Sequence, residues 1–511
     1  MTDRTRVSSK WLAPLIAALV ATLVLFAWNK FQPLSVESPK PVSRVDKSGL
    51  NRIYYGPANS IAVLSFGGDP ALSAQFSVGD GFSRELQRSL TRVPALRVTA
   101  LTSSHFFRDD SVPLRLIAER LQVSHLLSGE FESSEGKMRV KVHLMNAKRD
   151  KELWSERYER NLDDVFSLQD EILFSVVNAI RPGAADSVAK VRAVEIEAWL
   201  LYLEALSSYA ERTPEGLLFS VQAFRAALDI EPDYVLARVG LARSLLAMGA
   251  GSDQQAALLE EARSLLRGVL ESDPEQADAL GLLSYISHHF DWNWRDSLEQ
   301  AEKALGQRSG DPELMSIASL ALSSLGQFDR AVALLDSAVR QDPINLARRM
   351  RLGLLQEFAQ DYEQSLASYR QVLGSNPEVP GAWAYRARVK IIQEKPDSAM
   401  EQSEKEVDPF WKQYSRILAL TALERHEEAV SLLELMIEEK GDHAAYQIAE
   451  ILAFRGDTDS AFDWLVRAME QKDGGMASLV GNFFLLSLHP DPRWAALIEQ
   501  MGIPLVEFST P

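Results

Sequence analysis

The 511-residue chain contains no cysteine, so it has neither a disulfide framework nor thiol chemistry, which suits a compartment where a stray thiol would be oxidised. Positive charge is scarce. With 54 Lys and Arg against 71 Asp and Glu the formal net charge is −17, and a body of that sign repels nucleic acid and anionic lipid headgroups. Signatures of chemistry are missing as well. Gly67-Gly68 follows an apolar run, but no G-x-G-x-x-G and no Lys-Ser/Thr comes after it. Asp69-Pro70 would also set a charge of the wrong sign beside a phosphate, so the segment reads as a turn. Ser103-Ser104-His105 lacks a G-x-S-x-G elbow, and sequence neighbours seldom form a catalytic pair. His288-His289 with Asp291 has the residue types of a metal site, yet adjacent histidines point in different directions on a helix and no second cluster accompanies them. Gly79-Asp80-Gly81 reads as a helix start with Asp80 as its cap rather than as an anion cradle. No catalytic residue, cofactor or metal is therefore assigned, and the chain is not read as an enzyme.

What is present begins with an uncharged stretch from Trp11 to Trp28, preceded by Arg4, Arg6 and Lys10. Its length is near the lower limit for a spanning helix, about 17 to 25 residues. The basic flank puts residues 1–10 in the cytoplasm and everything beyond residue 30 outside. A cleaved signal peptide is the alternative, but the stretch is long for such an apolar region and Ala27-Trp28-Asn29 is a poor cleavage site. Residues 29–58, with Pro33, Pro39 and Pro41, read as a spacer.

Through the C-terminal three hundred residues a proline recurs, at Pro232, Pro274, Pro312, Pro343, Pro377 and Pro409; the intervals from Pro312 to Pro409 are 31, 34 and 32 residues. A period near 34 is that of a helix-turn-helix solenoid. The unit ending at Pro343 places the small residues Ala331 and Ala338 where adjacent helices must approach, with Leu335, Phe328 and Gly326 at bulky and turn positions. The next unit repeats this with Gly353, Tyr362, Ser365 and Tyr369, and closes at Asn376-Pro377, where proline ends the helix. Ala461, Trp464, Leu465 and Ala468 continue the series without a proline, giving about six or seven units, with an inserted loop from Met248 to Gln254.

Residues 59–182 have another texture. Strand-like runs at Ile61–Leu64, Leu96–Ala100, His125–Phe131, Met138–Met145 and Leu153–Tyr158 alternate with helical spacing at Val78–Leu90 and Leu114–Leu121. A closing helix follows, capped by Asp163-Asp164, with Val165, Leu168, Ile172, Val176 and Ile180 on its buried side. This predicts a compact α/β unit.

The runs Ile61-Ala62-Val63-Leu64-Ser65-Phe66, Gly81-Phe82 with Glu85-Leu86, Leu127-Ser128-Gly129-Glu130, Leu153 to Tyr158 and Asp163 to Ile172 resemble the TolB amino-terminal-like domain found upstream of tetratricopeptide arrays in bacteria. Arg212 to Gly216, Asp291 to Trp294, Pro490 to Trp494 and Met501 to Pro504 are similar to the same group. In that group the resemblance implies a frequent attachment to a cytoplasmic output module, either a winged-helix regulator or a class III nucleotide cyclase. Ten residues ahead of the uncharged stretch are too few to fold into one, so neither output is carried over here.

The expected architecture is an α/β domain (residues 59–182), an all-α tetratricopeptide solenoid (190–470), a C-terminal capping segment (471–511) and a single N-terminal transmembrane helix (11–28). The expected function is a protein-interaction scaffold on a bacterial inner membrane, its body periplasmic, binding protein partners and no nucleic acid or small-molecule cofactor; a ligand-sensing module reporting to a separate cytoplasmic partner is the alternative. Arg348, Arg349, Arg351, Arg386 and Arg388 cluster on first helices of the repeats in an otherwise acidic body, where a carboxylate-bearing peptide would find bidentate partners. Of these, Arg348, Arg351 and Arg386, with the aromatics Trp383 and Tyr385, are the candidate partner-binding residues. The competing roles are pairing with Glu on neighbouring repeats for the arginines and solenoid packing for the aromatics.

Overall fold

The computed structural model describes residues 56–67, 73–93, 96–104, 107, 112–134, 136–184 and 193–504. The stretch from Trp11 to Trp28, most of the spacer and His105 lie outside them. No helix among the described residues is long and apolar enough to cross a membrane.

A five-stranded sheet in the order β2-β1-β3-β4-β5 forms the smaller region, from strands β1 (Ser60–Val63), β2 (Arg97–Val98), β3 (His125–Ser134), β4 (Lys137–Asn146) and β5 (Lys151–Asn161). β1 pairs in parallel with β2 and β3, while β3, β4 and β5 form an antiparallel meander. The two-residue period of β1 divides its side chains between two cores. Ile61 and Val63 join helices α1 (Ser73–Leu90) and, C-terminal to the short α2 (Leu101–Ser104) and to α3 (Leu114–Leu121), α4 (Val165–Ile180); Ala62 and Leu64 face α3. Val165, Leu168, Ile172 and Val176 are buried as the spacing predicts and Ile180 partly so, but Asp164 makes no side-chain capping bond, because a 3-10 turn at Leu162–Asp164 carries the chain into α4.

The expected helix start at Gly79-Asp80-Gly81 is a correction. α1 begins at Ser73, and Asp80 lies inside it, fully buried, holding Arg84 Nε at 2.7 Å and accepting from Ser65 Oγ at 2.6 Å. The glycines serve close approach rather than a turn: a Cβ on Gly81 would lie 2.5 Å from the backbone oxygen of Leu203, in the first helix of the array.

That array comprises eight helical hairpins. They are α5 (Ile196–Glu211) with α6 (Pro214–Ile230), α7 (Val235–Gly249) with α8 (Gln255–Ser272), α9 (Ala277–Ile286) with α10 (Trp294–Gln307), and α11 (Pro312–Ser324) with α12 (Phe328–Gln341). The remaining four are α13 (Leu346–Phe358) with α14 (Tyr362–Ser375), α15 (Ala382–Ile392) with α16 (Pro396–Lys405), α17 (Pro409–Ala422) with α18 (His426–Lys440), and α19 (Ala445–Phe454) with α20 (Thr458–Glu470). The count exceeds the expected six or seven because α18 ends at Lys440-Gly441-Asp442, with no proline to mark it. Pro312 and Pro409 stand at the first position of the following helix behind Asp311 and Asp408, whose side chains accept the exposed backbone N–H groups; they open helices rather than close them.

The last five hairpins turn alike. Gly326, Gln360, Glu394, Glu424 and Gly456 all have positive φ, between 58° and 83°. In each turn the next residue's N–H reaches back five residues to a helix carbonyl, as Gln327 does to Leu322 at 2.8 Å and Lys395 to Lys390 at 2.9 Å. Inside the hairpins the small residues do what their spacing predicts. Ala331 and Ala338 are fully buried, and a Cβ on Gly353 would lie 2.6 Å from the Tyr369 ring.

The two regions are not separate bodies. Trp199 of α5 sits edge-on to Phe82 and Phe166 of the sheet region, and one continuous core runs from Ile61 to Ile286. Around it lies a charge cluster: Glu85 accepts from Tyr202 at 2.9 Å, Arg88 bridges Glu85 and Asp278, and Arg308 meets Asp278 at 2.7 Å. Burial would raise the Asp278 carboxyl, but Arg308, Arg88 and Arg243 overcome it and hold it well below the usual carboxylate range. Further along, Ser103 donates to Asp342 and Ile344 packs against the α3 core, so the sheet region runs beside the loops between hairpins as far as the fifth.

Candidate functional site

The first helices of successive hairpins line the inner face of the array, and its two halves are furnished differently. From α11 to α19 that face is packed against by the chain itself. Beyond α20, two 3-10 turns, Gly474–Ser478 and Phe483–Leu488, pack against the inner helices before α21 (Pro492–Gln500) closes the fold. Ala477 accepts from Ser324 Oγ at 2.9 Å, Gly481 lies against Phe328 and Phe358, and Ser487 Oγ donates to Ala453 at 2.9 Å. Asn482, 1% exposed, is the polar centre: its amide donates to Tyr446 Oη at 2.8 Å and to Glu450, and its oxygen accepts from Arg388 at 3.3 Å.

Arg388 itself is buried, bonded to Glu357 at 3.0 Å and Glu450 at 2.8 Å and packed over the Phe484 ring at 4.5 Å. Met476, Leu479, Phe484, Leu485 and Leu488 are each at most 1% exposed. Burying five such side chains is worth about 10 kcal/mol as an upper bound.

Other aromatic and cationic groups stand on the helices from α5 to α15. Tyr209 carries the Arg212 guanidinium over its ring at 4.1 Å; Tyr285 stacks on His289 at 4.1 Å, and His289 Nδ1 donates to the Tyr285 carbonyl at 3.1 Å. Arg243 is spent on Glu313 at 3.1 Å. Burial, the neighbouring His289 and Arg351 push the His288 imidazole well below its ordinary value; burial and Arg351 push His289 down to about 4. Arg351 is exposed, and among the described residues no carboxylate stands within ion-pair distance of it. Surrounding protein lowers its basicity, partly offset by Tyr385 and Tyr369.

The five residues singled out by sequence do not form one surface. Arg351 and Tyr385 share the inner face, where Tyr385 stacks between Tyr369 and Trp411. Arg348 is turned onto Asp342 at the loop edge. Trp383 and Arg386 make a separate group, with the guanidinium 5.1 Å from the indole, Lys405 on the same ring and the indole N–H donating to the Pro377 carbonyl at 3.2 Å. Arg388, two residues from Arg386, pairs with glutamates of other repeats. Tyr209, Arg212, Tyr285 and Asn482 were not singled out as partner-binding residues; Asn482 stands beside a short apolar run, Phe483–Leu488, the one local sign of its burial.

Of the chemistry weighed in the sequence, His288 and Asp291 are both committed internally, to Ser324 Oγ at 3.2 Å and to Arg263 at 2.9 Å. Ser104 Oγ turns to Gln87, and no group of three His, Asp or Glu that could hold a metal ion occurs among the described residues.

Residues 350–412 match the family model of a tetratricopeptide repeat. Over 284 residues, 53% of this chain, the sequence is 28% identical to a protein of Rhizobium meliloti (strain 1021) described as putative adenylate cyclase 3, and it spans 41% of that protein's length. Among solved structures, the tetratricopeptide protein YrrB, described as having an unusual peptide-binding site, is similar at 18% identity with a TM-score of 0.31, covering 41% of this chain and 97% of its own. PilF of Pseudomonas aeruginosa is similar at 19% identity with a TM-score of 0.33, covering 42% of this chain and 98% of its own. The described residues form a mostly helical solenoid of hairpins with a small N-terminal sheet region, and residues 350–412 carry the tetratricopeptide pattern.

Proposed function

We propose that this protein is a protein-interaction scaffold held at a bacterial inner membrane by residues 11–28, with the sheet region and array in the periplasm. The observation that carries the scaffold reading is Arg351 on α13, an exposed residue with no carboxylate at ion-pair distance among the described residues. Stacked helical pairs offer extended concave surfaces to other proteins. The sheet region is of the TolB amino-terminal-like kind, as its sequence resemblance suggests. Location rests on the uncharged stretch and its basic flank.

A second reading, a ligand-sensing module that reports to a cytoplasmic partner, is favoured by the partial match to a protein described as a cyclase. The continuous core from Ile61 to Ile286 would transmit a change in the sheet region directly to the array.

The test is crosslinking from intact membranes with the whole chain as bait. Because the regions share a core, deleting the array is not a clean control; the comparison is a chain with Arg351→Glu. A defined partner captured by the wild type and lost from the variant supports the scaffold. An absence of any protein above background with both chains removes it and turns attention to ligand screening of residues 59–182. Recovery of a mature N-terminus near residue 29 would overturn the anchor.

A further inference from the structure

The chain is acidic overall, with a formal net charge of −17, yet along one side of α15 the sign is locally reversed. At about 3.6 residues per turn, Trp383, Arg386 and Lys390 fall on one stripe of that helix, while Tyr385 and Arg388, which look to the inner face, fall on the opposite one. Arg370 of α14 and Lys395 of the turn after α15 stand beside the stripe. We infer that Arg370, Arg386 and Lys390 form a binding site for a phosphate group, away from the inner face and independent of the protein partner proposed above.

Like charges are gathered here with few carboxylates to answer them. Lys390 Nζ donates to Gln393 Oε1 at 3.0 Å, and Lys405, the other cation over the Trp383 ring, is engaged by Glu401 at 2.7 Å. Glu363, the acidic group facing Lys390, accepts from Gln393 at 3.2 Å. Among the described residues no carboxylate stands within ion-pair distance of Arg370 or Arg386, and the Nε of Arg386 is buried without a hydrogen-bond partner. Burial and then Arg370 lower the basicity of Arg386, against Glu401; burial, Lys395, Arg386 and Arg370 lower that of Lys390, against Glu363. An anion seated among the three cations relieves this repulsion. A phosphate group suits these donors better than a carboxylate does. Its charged oxygens surround a tetrahedral centre, so a guanidinium from α14, another from α15 and a lysine ammonium can approach from different directions, whereas a planar carboxylate is filled by a single guanidinium fork. A soluble phosphate ion and the headgroup of an anionic phospholipid share this chemistry.

The experiment uses the whole chain in two arms. In nonionic detergent, inorganic phosphate is titrated calorimetrically in chloride buffer. In nanodiscs, hydrogen exchange of α14 and α15 is compared between phosphatidylglycerol and phosphatidylcholine bilayers. Expected is saturable binding of phosphate, which identifies a soluble ligand, or added protection of α14 and α15 with phosphatidylglycerol only, which identifies a lipid. Arg370→Gln and Arg386→Gln should each weaken phosphate binding roughly tenfold or remove the added protection, with Arg386→Lys restoring part of either. Arg425→Gln, at an exposed arginine of another hairpin, should change neither. No binding of phosphate together with equal exchange in the two lipids would overturn the site. So would a response that survives Arg370→Gln and Arg386→Gln, or one that Arg425→Gln removes equally.

Discussion

The two halves of the array are built from the same hairpin and are stabilised in different ways. In the first, the sheet region lies along the loops between hairpins and its core runs into the array, so the helices are fixed from the edge. In the second, no such region is present among the described residues, and the inner face is fixed by a returning segment that brings Asn482 and five nearly fully buried apolar side chains. A repeat cannot bury its faces alone. What covers it differs along the array: the sheet region supports the edge of the first hairpins, and the returning segment packs on the inner face from α11 onward.

The largest effect is expected where the second half is pinned. Arg388→Met should cost about 3 to 5 kcal/mol, because Glu357 and Glu450 would remain buried without their cation. Phe484→Ala should cost a similar ~3 to 5 kcal/mol through lost burial and a cavity. Denaturant midpoints measure both; a loss below 1 kcal/mol for Arg388→Met would show that the cluster is hydrated rather than a pin.

Next comes the joint in the first half. Gly81→Ala would set a Cβ 2.5 Å from the Leu203 carbonyl and should overpack the α1–α5 contact by roughly 1 to 3 kcal/mol. Ala331→Leu, within a hairpin, should cost a comparable ~1 to 3 kcal/mol. Thermal melting that separates into two transitions for Gly81→Ala but not for Ala331→Leu would show that the joint couples the regions, and an unchanged melt for either variant would refute that contact.

Acid should weaken the packing around His288 and His289 in the third hairpin. His288 and His289 are held neutral in the fold with depressed pKa values, so below their unfolded value near 6.5 the unfolded chain binds more protons. Stability is full above that pH and falls as pH drops from about 6.5 toward His289's value of about 4. His288→Gln should flatten this part of the stability profile. A slope equal to the wild type's would assign the acid sensitivity elsewhere.

The smallest effect lies in the turns. Gln360 and Glu394 adopt the left-handed conformation that glycine fills at Gly326 and Gly456, so Gln360→Gly should change stability by no more than about 1 kcal/mol, in the stabilising direction, while Gly326→Ala should be destabilising.

The sequence carried local periods well and distant partners poorly. Ala331, Ala338, Gly353 and Tyr369 could be placed because the repeat sets each against a residue a fixed distance along the chain. The strands of the sheet region were equally legible from their alternation. Gly81 was misread, since a glycine required by a helix more than a hundred residues away looks the same as one required by a turn. Arg386 and Arg388 show the same limit at the site. They are two residues apart, yet one covers an indole at the surface and the other is enclosed by Glu357, Glu450 and Asn482 from three other elements. The segment 474–488 has no period at all, which is why its seat on the inner face could be seen only in three dimensions.

Hydrogen exchange of the intact protein, read by mass spectrometry, tests the division most directly. The account predicts that residues 474–488 exchange as slowly as the helices beneath them, α11, α13, α15 and α19, despite their short 3-10 turns. Fast exchange of that segment above protected helices would contradict it, because the inner face from α11 onward would then be open to partners.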